Sequence, residues 1–284
     1  MPTLTSRDNP KIKQARALRQ RKQRDATGLF LVEGIHHVGE ALAAGAQVEY
    51  LCYSPNLLVS PFAQQLIEQQ TARGLACYAV TPEVFASLAE KENPQGLLAV
   101  VREPHLTLNH LTPEHFSLGI ALVAPQDPGN VGTILRTIDA VGASGLLLLN
   151  SSVDPYHPST VRASMGALFW HPVVSASFDE FAPWAKQHGY HLYGTSAHAS
   201  ADYRSVDYSA RPAILLLGSE REGLSDDQTA ICEQVIRLTM KGHVSSLNLA
   251  VAAGVMLYQM TDDGGRKTED GRDEGRRTNE KNDK

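Results

Sequence analysis

Over the first hundred residues, short apolar blocks alternate with longer amphipathic stretches. Residues 48–53, 76–80 and 97–101 are apolar, β-favouring runs and read as strands. Residues 9–24 lack glycine and internal proline and read as one helix. A short apolar run at 29–32 is followed by Glu33-Gly34, and residues 35–44 return to helical character. Residues 59–73 and 82–90 read as the intervening helices, the second with Pro82 in its first turn. The pattern predicts a small α/β domain over residues 1–102. Residues 103–118, with Pro104 and Pro113, read as a polar linker.

The alternation is clearer over residues 119–260. The runs 120–124, 145–149, 191–194, 213–217 and 235–238 are nearly continuous in apolar residues, as strands of a parallel sheet buried on both faces must be. Between the first two, Val131, Ile134, Leu135, Ile138 and Val141 recur at helical spacing and mark one stripe. Residues 178–188 and 247–260 read as further helices. The remainder, 261–284, has no large apolar residue and mixes both charge signs; it is expected to be a disordered tail.

Composition narrows the class. Hydrophobic residues make up 42% and charged residues 20% of the 284, the balance of a globular domain pair. No apolar run approaches the length of a membrane span, and the first residues are polar and basic, so the chain is expected in the cytoplasm. Cys52, Cys77 and Cys232 stand far apart, without the paired spacing of a zinc site or a disulfide framework. His105, His110 and His115 recur every five residues, which does not align them on one helix face, so no metal is expected. The net charge is −5, yet Arg7, Lys11, Lys13, Arg16, Arg19, Arg21, Lys22 and Arg24 are opposed locally only by Asp8 and Asp25. Such a segment is either a phosphate-binding strip or a solvated helix face.

Three segments carry chemistry. In APQDPGNVGTILRTIDAVGASG, residues 124–145, a strand gives way to a helix through Pro128, Gly129 and Gly132, residues suited to a tight turn close to a ligand. Asn130 lies where a side-chain oxygen can cap free amides, and Arg136 points away from its helix's apolar stripe, free to meet a phosphate. In ILLLGSEREGLS, residues 214–225, a buried strand ends in a glycine-bounded loop that carries Glu220. The carboxyl end of a parallel strand is where ligands bind in open α/β sheets. In RLTMKGHVSSLNLAVAAGVML, residues 237–257, Ser245 or Ser246 precedes a helix of small residues, with Ser246 and Asn248 at its positive end. Neither G-x-G-x-x-G nor G-x-x-x-x-G-K-[ST] occurs, which disfavours the two commonest nucleotide-binding loops.

In this order and spacing the three segments, with VRASMGAL at 161–168, resemble the SpoU/TrmH family of RNA ribose 2′-O-methyltransferases, within the SPOUT superfamily. Residues 1–102 resemble, more loosely, the ribosomal-protein-like substrate-binding domain of many members. The resemblance implies a C-terminal α/β domain with a deep trefoil knot, a homodimer with the last helix in its interface, and S-adenosylmethionine held bent by the knot loops. Here those loops would contribute Gly218, Leu238, Met240 and Leu247. The catalytic set implied is Asn130, Arg136, Glu220, Ser246 and Asn248, acting on a structured RNA, with ribosomal RNA favoured over transfer RNA. Arg7, Lys11, Lys13, Arg16, Arg19, Arg21 and Lys22 are expected to contact that RNA. One position departs from the family's pattern: Thr239 stands where a proline, which would stiffen the cofactor loop, is common. A catalytically silent RNA-binding protein on the same scaffold is the competing reading; it would require loss of the polar motif positions, and all are present.

Overall fold

Each run of alternating elements closes into its own sheet. The computed structural model describes residues 3–90 and 93–262; most of the expected tail, from residue 263 on, lies outside the described residues. The first sheet contains β1 (Leu29–Glu33), β2 (Val48–Tyr53), β3 (Cys77–Ala79) and β4 (Leu97–Arg102), in the order β1-β4-β2-β3. β4 runs antiparallel to both β1 and β2, whereas β3 is parallel to β2. Helices α3 (Ile35–Ala43), α4 (Pro61–Ala72) and α5 (Pro82–Leu88) fall where periodicity placed them.

The single helix expected over residues 9–24 is instead two, α1 (Pro10–Ala17) and α2 (Arg21–Thr27). The break has a physical cause. The Leu18 and Arg19 carbonyls leave the helical ladder and accept from Arg24 Nη1 at 2.8 and 2.9 Å. Arg24 is 1% exposed, and its Nε donates to Asp154 Oδ2 at 2.6 Å. This arginine, counted with the basic strip from sequence, is therefore a buried cross-link to the second sheet.

That second sheet has seven strands, all parallel, in the order β7-β6-β5-β10-β8-β11-β9. In chain order its elements are β5 (Leu118–Val123), α6 (Pro128–Val141), β6 (Gly145–Leu149), α7 (Pro158–Ala163), β7 (Val173–Ala176), α8 (Phe178–Gln187), β8 (His191–Thr195), β9 (Ala201–Asp202), β10 (Ala213–Leu217), α9 (Asp226–Ala230), β11 (Gln234–Arg237) and α10 (Leu249–Thr261). The expected strands are all present. β7 and β9 are additions; with four and two residues, they are too short to carry a periodic signal.

The α6 stripe is buried as expected at Val131, Ile134, Leu135 and Ile138, with Val141 half-buried. Pro128, Gly129 and Gly132 lie inside α6 rather than in a loop before it, because Asp127 Oδ1 caps the helix by accepting from Gly129 N at 2.7 Å. Gly132 serves helix packing: a Cβ there would meet the Thr160 carbonyl at 2.5 Å and Ala163 Cβ at 2.6 Å on α7. On its other flank α6 packs against α10, whose Ala253, Met256, Leu257 and Met260 are buried.

The segment read as a polar linker buries Leu108, Leu111 and Phe116 in the core that holds Trp184 and Ile214. Apolar residues of both sheets also share one core, in which the Phe30 ring lies 4.7 Å from that of Tyr156 and 6.3 Å from that of Phe169. The VRASMGAL segment lies at this junction. The Arg162 and Met165 carbonyls meet His37 Nε2 and His36 Nε2 at 3.2 and 3.0 Å.

Candidate active site

The loops after the central strands β5 and β10 converge at the carboxyl edge of the parallel sheet. After β5 the chain turns at Ala124, a non-glycine residue at φ 47°, and Asp127 starts α6 three residues on. After β10 it folds back on itself: a Cβ on Gly218 would lie 2.0 Å from the Gly223 carbonyl carbon, so only glycine closes this loop. The Gly223 amide donates to the Ser219 carbonyl at 3.0 Å, which presents Glu220 at the tip.

Three side chains join there in a chain of fixed polarity. Asn248, not Ser245 or Ser246, is the N-cap of α10; its Oδ1 accepts from Ala250 N at 2.9 Å and from Val251 N at 3.3 Å. That leaves its amide NH₂ facing Asn130, and Nδ2 donates to Asn130 Oδ1 at 3.0 Å. Asn130, 8% exposed, therefore turns its own NH₂ outward and donates to Glu220 Oε1 at 3.1 Å. The other oxygen, Glu220 Oε2, accepts from Gln126 N at 3.3 Å. The α10 cap thus sets the amide orientation of Asn248 and Asn130, and that orientation aims a donor at Glu220 Oε1. Asn130, expected as a cap, is instead the middle link, because Asp127 already caps α6. Gln126 was missed from sequence, since it acts through its backbone amide.

The remaining expected residues are placed more loosely. Ser246 is exposed two residues before Asn248 and makes no hydrogen bond among the described residues. Gly218 is buried, Leu238 and Met240 are half-buried, and Leu247 is 39% exposed at the approach to α10. Between Leu238 and Met240, Thr239 Oγ1 donates to Asp202 Oδ2 at 2.7 Å. Asp202 also accepts from Arg204 N and Nε at 3.1 and 2.8 Å, and these bonds hold its carboxyl well below the usual carboxylate range. A threonine tether thus stands where a proline would have stiffened the same loop. Arg136 is exposed on α6 and has no ion pair or hydrogen bond among the described residues. It lies six residues beyond Asn130, about 9 Å along the helix axis and about 120° around it. The fold therefore does not bring it into the Asn130–Glu220–Asn248 cluster.

The basic segment is partly committed within the chain. Arg7 Nη2 donates to the Glu83 carbonyl at 3.3 Å, Lys13 pairs with Asp8 at 3.0 Å, and Arg19 Nη2 donates to the Ala89 carbonyl. Arg21 lies 3.7 Å from Asp25, and Lys11 Nζ sits 4.8 Å over the Tyr50 ring. Arg16 and Lys22 make no side-chain bond among the described residues. The exposed ion pairs are weak enough for a phosphate to displace. Among the described residues, no group of three or more His, Cys, Asp or Glu side chains could hold a metal ion, and no helix is long and apolar enough to cross a membrane.

Residues 117–258 match the SpoU rRNA Methylase family, and residues 9–99 match the MRM3-like substrate binding domain. Among relatives, a 23S rRNA (uridine(2479)-2′-O)-methyltransferase of Streptomyces viridochromogenes is 34% identical, with 90% of each chain covered. A 23S rRNA (guanosine(2553)-2′-O)-methyltransferase of Bacillus subtilis is 31% identical over 92% of this chain and 99% of its own. Among solved structures, that of an AdoMet-bound rRNA methyltransferase from Sinorhizobium meliloti superposes with a TM-score of 0.84 at 35% identity, covering 91% of this chain and 97% of the other.

Proposed function

The chain belongs to the SpoU rRNA Methylase family, and on that footing we propose that it transfers a methyl group from S-adenosylmethionine to a ribose 2′-hydroxyl of 23S ribosomal RNA. The observation that carries this reading is the Asn248–Asn130–Glu220 chain, assembled at the carboxyl edge of the sheet.

Bound S-adenosylmethionine supplies an electrophilic methyl group on a sulfonium. The half-buried faces of Leu238 and Met240, with Leu247, offer apolar contact to its adenine, and the glycine-only turn at Gly218 lets backbone approach it. Methyl transfer is an in-line displacement, so the protein's task is chiefly positioning. Glu220 and Asn130 orient the ribose, Ser246 and Asn248 hold the loop beside it, and Arg136 grips the adjoining phosphate and polarises the hydroxyl. The C–S bond breaks as the O–C bond forms, S-adenosylhomocysteine leaves, and the hydroxyl proton passes to water, since arginine, always protonated, does not accept it.

The exposed placement of Arg136 suits a homodimer in which it serves the neighbouring subunit's site. The outer face of α10 supports such an interface: Val251 and Tyr258 are 51% and 60% exposed. A trefoil knot fits the path after β11, where the chain returns across the sheet so that α10 packs on both β10 and α6. The proposal places the enzyme in the cytoplasm with its ribosomal RNA substrate, and Arg7, Lys11, Lys13, Arg16, Arg19, Arg21 and Lys22 along that RNA's phosphates.

The test is calorimetry with S-adenosylmethionine, followed by methylation of 23S ribosomal RNA and mass spectrometry of its nucleosides. A 2′-O-methylnucleoside is expected. A base-methylated product, or no cofactor binding by folded protein, overturns the reading.

The Thr239 tether gives a smaller prediction. Thr239→Val removes one hydrogen bond to a carboxylate, so S-adenosylmethionine should bind about threefold to tenfold more weakly with the melting curve unchanged. Thr239→Pro, which restrains the same loop covalently, should retain affinity better than Thr239→Val. Equal affinities in all three proteins would show that the tether does not organise the loop.

A further inference from the structure

A cavity of about 620 Å³ lies beside the Asn130–Glu220 cluster, where the loop after β6 and the end of β7 meet α2. Its wall includes Arg21, Asp25, Glu103, Gln126, Asn150 and Asp154. Gln126 belongs to both places: it lines the cavity, and its backbone amide donates to Glu220 at 3.3 Å. Whatever occupies the cavity is therefore next to whatever Glu220 holds.

The three carboxylates of the wall are not equivalent. Asp154 is fully used, with Oδ2 on Arg24 and Oδ1 accepting from Tyr156 N at 2.7 Å. Asp25 stands 3.7 Å from Arg21. Glu103, half-buried, accepts no side-chain hydrogen bond among the described residues. Burial first, then the charges of Asp154 and Asp25, push its carboxyl up to about 7. It is a partly desolvated acceptor in want of a donor. A metal ion is not the natural donor, because no group of three or more ligating side chains among the described residues is arranged to hold one.

Resting on the methyl-transfer reading above, we propose that this cavity is a base-reading subsite: it takes a nucleobase flanking the methylated ribose, with Glu103 accepting from that base's exocyclic amine and Arg21 holding its phosphate. The sorting of charge requires this orientation. An acidic wall repels phosphate, so the base enters and the backbone stays at the rim, where the exposed Arg21 makes two weak contacts, a 3.4 Å bond to the Ser152 carbonyl and a 3.7 Å ion pair with Asp25. Adenine, cytosine and guanine each carry an amine that a carboxylate accepts. Uracil offers one imide N–H flanked by two carbonyl oxygens, which repel a carboxylate. Unstacked bases in single-stranded RNA are read in this way along their pairing edges.

The experiment uses the full chain and four RNA pentamers, uridines flanking a central A, C, G or U, with binding followed by anisotropy at about pH 8, where Glu103 is ionised. At least one amino-bearing pentamer should bind about tenfold tighter than the all-uridine one, a difference of about 1.4 kcal/mol. Glu103→Leu should bring it to the uridine level, and Glu103→Gln, the variant closest in shape, should reduce the preference severalfold. Arg21→Ala should weaken all four alike, as loss of a phosphate contact does. Equal binding of the four pentamers, or a preference untouched in both Glu103 variants, overturns the subsite. Calorimetry with S-adenosylmethionine on the same samples separates the two claims. Cofactor binding without base preference removes the subsite alone, whereas base preference without cofactor binding removes the methyl-transfer reading and leaves a base-binding cavity with no methylated ribose beside it.

Discussion

Replacing Arg136 by alanine should lower single-turnover methylation of 23S ribosomal RNA by about two orders of magnitude or more, with the melting curve and cofactor affinity nearly intact. Packing gives no reason for this arginine. The apolar stripe of α6 is buried on the other side of the helix, and Arg136 itself is exposed without a partner among the described residues. A surface side chain of that kind should change stability by no more than about 0.5 kcal/mol when truncated. On the proposed reading its value lies outside the chain, where a guanidinium is the side chain best matched to a phosphate. Arg136→Lys should also be slow, because an ammonium lacks the planar fork. Since the helix separates Arg136 from Asn130, a mixture of Arg136→Ala and Asn130→Ala subunits should regain activity if the arginine serves the neighbouring site. Near-normal rates in Arg136→Ala remove it from the mechanism, and no recovery in the mixture assigns it to its own subunit's site.

What could be read from sequence, and what could not, divides along physical lines. Five strands of the larger sheet were legible because strands buried on both faces must be nearly all apolar, as Leu146 to Leu149 are, whereas β7 and β9 were too short to show it. The three polar motifs were legible as positions, yet their wiring was not. Nothing in the sequence says that Asp127 rather than Asn130 caps α6, or that Asn248 rather than Ser246 caps α10; several capping residues stood within a few positions of one another. That choice decides which amide is left over to reach Glu220. The burial of Arg24 was illegible for a different reason. A run of Lys and Arg reports charge, whereas burial depends on partners distant in sequence, such as Asp154 for Arg24. Gly132 misled for the same reason: glycine signals close approach, but here the approaching group is α7 and not a ligand.

Arg24→Ala should cost about 3–5 kcal/mol of stability, enough to lower the melting temperature by roughly 10 °C. The side chain is buried at a junction of three segments and its charge is matched at each. Nε and Nη2 lie 2.6 and 2.5 Å from Asp154 Oδ2, and Nη1 satisfies the Leu18 and Arg19 carbonyls at the break between α1 and α2. Removing the guanidinium leaves Asp154, whose side chain is 9% exposed, as an uncompensated buried charge, and orphans two carbonyls besides. Arg24→Lys should recover only part of the loss, because one ammonium cannot span the carboxylate and both carbonyls. The double replacement Arg24→Met with Asp154→Leu removes both charges, and should melt closer to the wild type than either single variant. This pattern separates a structural cross-link from a phosphate contact. If Arg24 belonged to an RNA-binding strip, Arg24→Ala would melt like the wild type, bind RNA more weakly and lose part of its salt dependence. The same contacts explain why deleting residues 1–102 is a poor probe of RNA binding: the cut strips Arg24 from Asp154 and Phe30 from Tyr156, exposing the core that both sheets share. Substitution of Arg16 and Lys22, which have no partner among the described residues, tests the strip with the junction intact. Unchanged melting in Arg24→Ala would refute the cross-link and return this arginine to the solvent-facing set.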